Sequence, residues 1–128
     1  MFYMNDKVIT VKDIIRVSGG TLISGNENVE IDRYTKDTRL IKENDIYIGI
    51  KGENADGNDY IEKAFENGAI GCIIDKLPEE EILEKCKEKI IIYVNDTVGA
   101  IQKIAKYKRS LYDIPVIGIT GSVRENKY

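Results

Sequence analysis

The most informative stretch of the sequence is DIYIGIKGENADGNDYI, residues 45–61. It opens as a strand, because isoleucines at every second position fall on one face. The apolar pattern then gives way to a polar loop in which Gly52 and Gly57 permit tight turns. Helical spacing begins at Asp59. In α/β proteins ligands often bind where a strand ends in such a loop. The stretch therefore predicts a strand, a loop and a helix, with the loop either a polar-ligand site or an ordinary connection.

The length of the chain allows one ordinary domain, or a small domain with the beginning of another. The chain has 128 residues, of which 42% are hydrophobic and 32% charged, as expected for a globular protein. A net charge of −3 argues against general attraction to nucleic acid or to an anionic membrane. No apolar run approaches the roughly 20 residues that span a bilayer, which predicts no membrane insertion. The amino terminus lacks the pattern of a secretory signal, so we expect a cytoplasmic protein.

The two cysteines and the absence of histidine narrow the chemistry. Cys72 lies in an apolar run and Cys86 in a charged one, and a zinc site needs more ligands than these. Without histidine the chain also lacks the commonest general base. We predict that both cysteines are reduced structural thiols and that the chain holds no metal.

The first part of the chain predicts a short helix followed by a hairpin. Thr10-Val-Lys-Asp13 has the spacing of a capping box, and Gly19-Gly20 ends the helix that follows it. The segments Thr21–Ile23 and Val29–Ile31 alternate and are joined by a turn-rich stretch, which indicates a hairpin. Residues 33–39 are polar without a clear period and are typical of a surface loop.

From residue 45 onward strands alternate with helices. Apolar runs predict strands at residues 70–74, 90–94 and 116–120, and Pro78 begins a helix between the first two. A longer helix, capped by Asn95 or Asp96, extends to about Ser110. Its inward positions are predicted to be Val98, Ile101, Ile104 and Ala105. This alternation predicts the α/β class, with a small mixed sheet and flanking helices.

Several ordered motifs together resemble one family. They are Thr35-Lys-Asp-Thr-Arg39, the stretch 44–60, Glu66-Asn-Gly-Ala-Ile-Gly-Cys72, Val94-Asn-Asp-Thr97 with Ala100-Ile-Gln102, and Pro115-Val-Ile-Gly-Ile-Thr-Gly-Ser122. This order is similar to the amino-terminal part of the Mur ligases of peptidoglycan synthesis, over essentially the whole chain. Within the family it most resembles the ligases that add D-alanyl-D-alanine to UDP-N-acetylmuramoyl-tripeptide. The tripeptide-forming ligases are the alternative.

The resemblance implies a three-domain enzyme. In that family ATP phosphorylates the substrate carboxylate, an amine attacks the acyl phosphate, and the later domains read the incoming amino acid or dipeptide. Residues 1–112 would then be the domain that binds UDP-N-acetylmuramoyl-peptide. Residues 113–128 would contribute the first strand and phosphate loop of the ATPase domain.

The resemblance also implies the residues that contact the uridine diphosphate. Arg39 and Lys51 could balance its charge, and either Asn54 or a free backbone amide could hydrogen-bond a uracil edge. Asn58 stands where many members have histidine, which leaves its role open. The full set of predicted contacts is Asp37, Thr38, Arg39, Lys51, Glu53, Asn54 and Ala55.

The phosphate loop departs from the family. Its remnant would be Gly118, Thr120, Gly121 and Ser122, but Arg124, Glu125 and Asn126 stand where Gly-Lys-Thr should follow. A short deletion in an otherwise family-like tail would give the same ending. Glutamate in the lysine position repels phosphates, so we expect no ATP hydrolysis and no cofactor for this chain. ATP and magnesium belong to the full-length family.

Two functional hypotheses compete, a substrate-binding domain and a regulatory module that acts through protein contacts. The second rests on the apolar strand predicted at residues 116–120, which would seek another strand and favour self-association. A third hypothesis, an active small ATPase, is opposed by the altered phosphate loop.

Overall fold

Strands and helices alternate from residue 46 onward, and the computed structural model describes residues 9–120, with side chains described to residue 111. The strands are β1 (Ile9–Thr10), β2 (Thr21–Ser24), β3 (Glu30–Ile31), β4 (Tyr34–Thr35), β5 (Ile46–Ile48), β6 (Gly71–Ile74) and β7 (Ile90–Tyr93). The helices are α1 (Val11–Ser18), α2 (Ile61–Glu66), α3 (Glu80–Lys85) and α4 (Thr97–Thr120). Short 3₁₀ turns cover Thr38–Leu40 and Gly57–Tyr60.

Five strands form the main sheet in the order β2-β7-β6-β5-β4. The strands from β4 to β7 run parallel to one another, and β2 is antiparallel to β7 at one side. The predicted mixed α/β sheet is confirmed. Because β4, β5, β6 and β7 are parallel, the loops that follow them meet at one edge of the sheet. The polar loop after β5 lies at this edge.

The core lies on both faces of the sheet. Along β5 the isoleucines Ile46 and Ile48 pack with α1 and α4, whereas Tyr47 between them packs with α2. All three side chains are buried. Burial of both faces is typical of parallel strands covered by helices. Cys72 and Cys86 are buried, unpaired thiols on the α2 and α3 face, as predicted, and desolvation raises the pKa of both.

The helix α1 begins and ends as the sequence predicts. Thr10 Oγ1 accepts a hydrogen bond from Asp13 N at 3.3 Å, and Asp13 Oδ2 accepts one from Thr10 N at 3.0 Å. The bond from Thr10 N lowers the pKa of Asp13. Gly19 takes the left-handed conformation with φ of 74° and donates its N–H to Ile15 O. The capping box and the glycine stop are both confirmed.

The predicted hairpin is wrong. The strand β2 pairs with β7, and β3 pairs with β1 in a separate two-stranded sheet. Gly25, with φ of 95°, lies so close to β7 that a Cβ would be 2.6 Å from Ile90 Cα. Pairing with β7 gives β2 the fully buried Ile91 and Ile92 as neighbours, which a local hairpin would not provide. Residues 33–39, predicted as a loop, contribute the edge strand β4.

The helix α4 differs from the prediction in its length and in its face. Asp96 Oδ2 caps it by accepting from Gly99 N at 3.2 Å, as predicted. Thr97 takes the inward position at its start and is 1% exposed. Ala100 and Ile104 therefore face the core, and Val98, predicted inward, is 46% exposed.

The strand predicted at residues 116–120 is also wrong, because α4 continues through Pro115 to Thr120. Neither sheet of residues 9–120 pairs a strand with this segment, and a helix satisfies its own backbone hydrogen bonds. Self-association through that strand loses its structural basis. Gly118 and Thr120 lie in α4, whereas Gly121, Ser122 and the altered loop residues lie outside the described residues. The domain boundary at residue 112 stays a prediction.

A buried carboxylate organises the amino edge of the sheet. Asp45 is 3% exposed and accepts from Arg33 Nε at 2.9 Å, from Arg33 Nη2 at 2.6 Å and from Lys42 N at 2.8 Å. These bonds, the Arg33 pair foremost, lower the pKa of Asp45. The pair fixes the chain that connects β4 to β5.

Asp45 predicts a specific pH dependence of stability. A carboxylate with a lowered folded-state pKa stabilises the fold above the ordinary aspartate pKa of about 3.9, and this stabilisation disappears as the pH falls through the folded-state value. We expect Asp45→Asn to lower the urea midpoint at pH 7. The difference from the parent chain should shrink below about pH 4, because protonated Asp45 resembles asparagine. A difference that stays constant from pH 7 to pH 3 would contradict this assignment.

Candidate functional site

A cleft of about 340 Å³ lies over the carboxyl ends of β4 and β5. The turn after β4 forms one wall, and the loop after β5 forms the other. Its lining residues are Lys36, Asp37, Thr38, Tyr47, Ile50, Ala55, Gly57 and Tyr60. The structure thus brings together Asp37, Thr38 and Ala55 of the predicted set around one opening.

The wall after β4 is built on an ion pair. Asp37 caps the 3₁₀ turn by accepting from Arg39 N at 2.9 Å, and its two oxygens accept from Arg39 Nε at 3.0 Å and Nη2 at 2.8 Å. These bonds from Arg39 lower the pKa of Asp37 to about 2. The Arg39 side chain is 85% exposed, so a ligand can reach its guanidinium. Asp37 already balances its charge.

The opposite wall is a tight, hairpin-like loop. Gly52 N donates to Ala55 O at 2.8 Å, and Gly57 N donates to Ile50 O at 2.8 Å. This geometry turns Ala55 into the cleft. The predicted residues Lys51, Glu53 and Asn54 are exposed at the tip of the loop and are not among the lining residues. The structure therefore places them outside the cleft itself.

Tyr47 forms the floor of the cleft and was not among the predicted site residues. Its ring is 2% exposed, and its hydroxyl donates to Gly57 O at 2.9 Å. Burial raises the pKa of Tyr47 to about 12, and its hydroxyl, which is protonated at neutral pH in any case, serves as a donor. Its only sequence signal is a single aromatic phenol within an otherwise aliphatic strand.

An apolar groove of about 550 Å³ continues from the cleft toward α4. It shares Lys36 and Ile50 with the cleft, so the two openings form one surface. Tyr34 and Val98, both partly exposed, provide apolar area at its rim. The remaining lining residues are Thr35, Ile48, Ile101 and Gln102. The sequence did not identify this groove, because β4 and the start of α4 are far apart along the chain.

A polar network lies behind the cleft and includes Asn58, the residue whose role the sequence leaves open. Asn58 is 5% exposed, and its Nδ2 donates to Asp56 Oδ1 at 2.7 Å and to Asp75 Oδ1 at 2.9 Å. Its Oδ1 accepts from Asp75 N at 2.9 Å. Both ends of the Asn58 amide, the Nδ2 donor and the Oδ1 acceptor, are therefore hydrogen-bonded. Asn58 thus holds the loop rather than facing the cleft.

A larger cavity of about 600 Å³ lies at the amino edge of the sheet. Its charged groups include Arg33 and Asp45, which already bind each other. The cavity is lined by residues 29–33, 42–45 and Ile70. Ligands of α/β proteins commonly bind at the loops that follow parallel strands, and this cavity is not formed by such loops. The cleft at the carboxyl edge is therefore the better candidate site.

Other kinds of site find no support in the part of the chain that the structure describes. Among the side chains that the structure describes, residues 9–111, no three of His, Cys, Asp or Glu come together as possible metal ligands. Among the helices of this part, none combines the length and apolar character needed to cross a membrane. Gly118 and Thr120 lie in α4, and the other residues of the predicted phosphate-loop remnant lie outside the described part of the chain, so the fate of this loop stays a prediction.

The mixed sheet, its two helical layers and the polar cleft at the carboxyl edge define an α/β domain with a candidate ligand site at that edge. The family described as Mur ligase family, catalytic domain, matches residues 30–109, which is more than half of the chain. The chain belongs to the Mur ligase family.

Relatives of two kinds match at similar identity. The UDP-N-acetylmuramoyl-tripeptide–D-alanyl-D-alanine ligase of Synechocystis is 36% identical over 98 residues, which cover 77% of this chain and 21% of that protein. The UDP-N-acetylmuramoyl-L-alanyl-D-glutamate–2,6-diaminopimelate ligase of Phocaeicola vulgatus is 34% identical over 118 residues, 91% of this chain and 22% of that protein. This chain therefore spans only about a fifth of their length.

A solved structure agrees with the fold. The crystal structure of MurF from Acinetobacter baumannii superposes with a TM-score of 0.68 over 81% of this chain and 22% of that chain, at 21% identity. This likeness confirms the mixed α/β fold. The predicted contacts to a ligand stay predictions.

Proposed function

We propose that this chain binds the uridine diphosphate end of a UDP-N-acetylmuramoyl-peptide, as the recognition domain of a cytoplasmic ligase that adds D-alanyl-D-alanine with ATP. The observation that carries the proposal is the cleft at the carboxyl edge, which joins Lys36, Asp37, Thr38 and Ala55 in a chain of the Mur ligase family. By itself the chain is proposed not to turn over ATP.

The charges around the cleft suit a diphosphate. Lys36 lies on both the cleft and the apolar groove, where it can approach a phosphate from either side. Arg39 is exposed at the neighbouring turn and has a planar guanidinium that matches phosphate oxygens. A bound diphosphate would compete with Asp37 for Arg39. Lys36 is therefore the better first candidate for the phosphate contact.

The uridine part has partners of the right chemistry. The ring of Tyr60, 46% exposed, offers a face on which a base can stack. The exposed loop tip with Asn54 provides amide groups for a uracil edge, and Glu53 provides acceptors for ribose hydroxyls. We propose that the tip, together with Lys51, closes against the ligand from above the cleft. The apolar groove beside Val98 would take the less polar parts of the same molecule.

The tripeptide-forming branch is the second candidate, because relatives of that kind match almost as well. The two branches act on substrates that share the nucleotide and sugar and differ in the peptide. Titration with both UDP-N-acetylmuramoyl-dipeptide and UDP-N-acetylmuramoyl-tripeptide separates the two possibilities. Tighter binding of the tripeptide form supports the D-alanyl-D-alanine branch, and tighter binding of the dipeptide form supports the other.

Binding of UDP is the direct test of the proposal. In a titration followed by amide NMR, we expect the largest shifts at Lys36–Thr38 and Ala55–Gly57. Lys36→Gln should weaken binding by about three- to tenfold, on the order of 1 kcal/mol, because one exposed charge-assisted contact is lost. Lys103→Gln is the matched control, since Lys103 is an exposed lysine of α4 outside the cleft lining. Equal effects of the two variants, or no shift at these amides, would reject the proposal.

A further inference from the structure

Asp75 stands at the junction of three elements. It directly follows β6, and its carboxylate lies between the loop after β5 and the first turn of α4. One oxygen accepts from Asn58 Nδ2 at 2.9 Å. The other accepts from Thr97 N at 3.1 Å and from Thr97 Oγ1 at 3.3 Å. In each of these bonds the carboxylate of Asp75 is the acceptor. The side chain at this position must therefore offer an acceptor both toward Asn58 and toward Thr97.

The bonds on the loop side determine where the cleft wall lies. Asn58 receives a second bond from Asp75 N at 2.9 Å, which joins the two residues in a closed pair of hydrogen bonds. Asn58 also donates its backbone N–H to Asp56 Oδ1 at 3.0 Å. The cleft residue Gly57 lies between Asp56 and Asn58. A fixed Asn58 therefore fixes the position of Gly57.

The bonds on the helix side determine where the apolar groove lies. Thr97 is 1% exposed and is the first residue of α4. The next residue, Val98, lines the groove, and Ile101 follows one turn later on the same surface. Asp75 thus connects the loop wall of the cleft with the helix wall of the groove, although it lines neither opening.

We propose that Asp75 is a positioning residue that sets the two walls of the ligand surface relative to each other and so determines affinity for the nucleotide. This inference rests on the proposed function of the cleft as a UDP site. It assigns a role in binding to Asp75 although this residue lines neither the cleft nor the groove. Asn58 is its partner on the loop, and Thr97 is its partner on α4.

Asp75→Asn tests the inference, because asparagine has one acceptor where the site needs two. Its NH₂ must face either the amide of Asn58 or the N–H of Thr97, both of which are donors. We expect UDP to bind about tenfold more weakly, while the fold is retained. Thr10→Ala is the control for stability. It removes the side-chain cap of α1 and so lowers stability, and its site lies far along the chain from the cleft linings.

The readouts separate positioning from a general loss of stability. Urea denaturation of both variants gives their free energies of unfolding, and UDP titration gives their affinities. Weaker binding by Asp75→Asn, with unchanged affinity in Thr10→Ala, supports the inference. Unchanged affinity in Asp75→Asn, or equal weakening in both variants, overturns it.

Hydrogen exchange distinguishes failure of this inference from failure of the proposed function. If the parent chain binds no UDP, the proposed function fails, and the inference is then judged on the free protein. Asp75→Asn should speed exchange at the amides of residues 55–58 and of the first turn of α4 together, while α1 stays unchanged. Faster exchange on only one side, or throughout the chain, overturns it.

Discussion

We expect Gly57→Ala to abolish measurable UDP binding and to lower the free energy of unfolding by about 1–3 kcal/mol. A Cβ at this position would lie 2.7 Å from Ile50 N and 2.8 Å from Ile50 O, which are backbone atoms that cannot turn aside. It would also lie 3.2 Å from the hydroxyl of Tyr47. The loop must move away from β5, and that movement displaces the cleft wall.

The same substitution removes two contacts that shape the cleft. Gly57 N donates to Ile50 O at 2.8 Å, and Gly57 O accepts from the Tyr47 hydroxyl at 2.9 Å. When the loop shifts, the buried Tyr47 hydroxyl loses its acceptor, which adds a desolvation cost. Loss of binding should therefore accompany loss of stability. Isothermal calorimetry with UDP and urea denaturation measure the two effects separately.

Gly52→Ala is the matched control in the same loop. The Cβ at residue 52 would meet a single atom, Ala55 O, at 3.1 Å, and it lies near the exposed tip. We expect its effect on affinity to be within about threefold, because a small adjustment of the turn relieves the contact. If Gly57→Ala bound UDP as well as Gly52→Ala, the cleft would not be the nucleotide site.

Local sequence patterns predicted those features that depend on neighbouring residues. The isoleucine runs of β5, β6 and β7 and the Thr10–Asp13 capping box follow from residues within a few positions of one another. The choice of strand partner does not. The segment Thr21–Ile23 pairs with β7, about 70 residues away, because β7 offers buried apolar neighbours. No local alternation can show that preference.

The residues of the candidate site also fall into two groups, those that sequence motifs predicted and those that they did not. Asp37, Thr38 and Ala55 were predicted from a resemblance of motifs, and the structure places them around one cleft. The floor of the cleft and its supporting network were not predicted. Tyr47 had no local signal beyond being the one phenol in an aliphatic strand, and the bonds of Asp75 join residues 17 and 22 positions apart in the chain.

The end of α4 shows a different limit of predicting secondary structure from local sequence. The apolar residues 116–120 predicted a strand, yet these residues are helical in the structure. A strand needs a partner to satisfy its backbone groups, whereas a helix needs none. An apolar run of five residues is compatible with either state, so the surroundings decide between them. Here the absence of a neighbouring strand within residues 9–120 favours the helix.

Ile92→Ala should cause the largest loss of stability among the substitutions considered, about 2–5 kcal/mol. Ile92 is fully buried in β7 and belongs to the cluster that packs the sheet against α1 and α4. Truncation removes buried apolar area and leaves a cavity that a sheet strand cannot collapse to fill. A domain of this size commonly has only 5–15 kcal/mol of stability in total, so the loss is a large fraction of it.

Ile23→Ala on the adjoining strand β2 is the control, because Ile23 is 38% exposed. We expect it to cost less than about 1 kcal/mol in urea denaturation. The side chain of Ile92 lines neither the cleft nor the groove, so the folded fraction of Ile92→Ala should still bind UDP at low denaturant. Equal losses of stability in the two variants would contradict the assignment of the core. Loss of UDP binding by fully folded Ile92→Ala would mean that the α4 face contributes more to the ligand surface than its lining residues indicate.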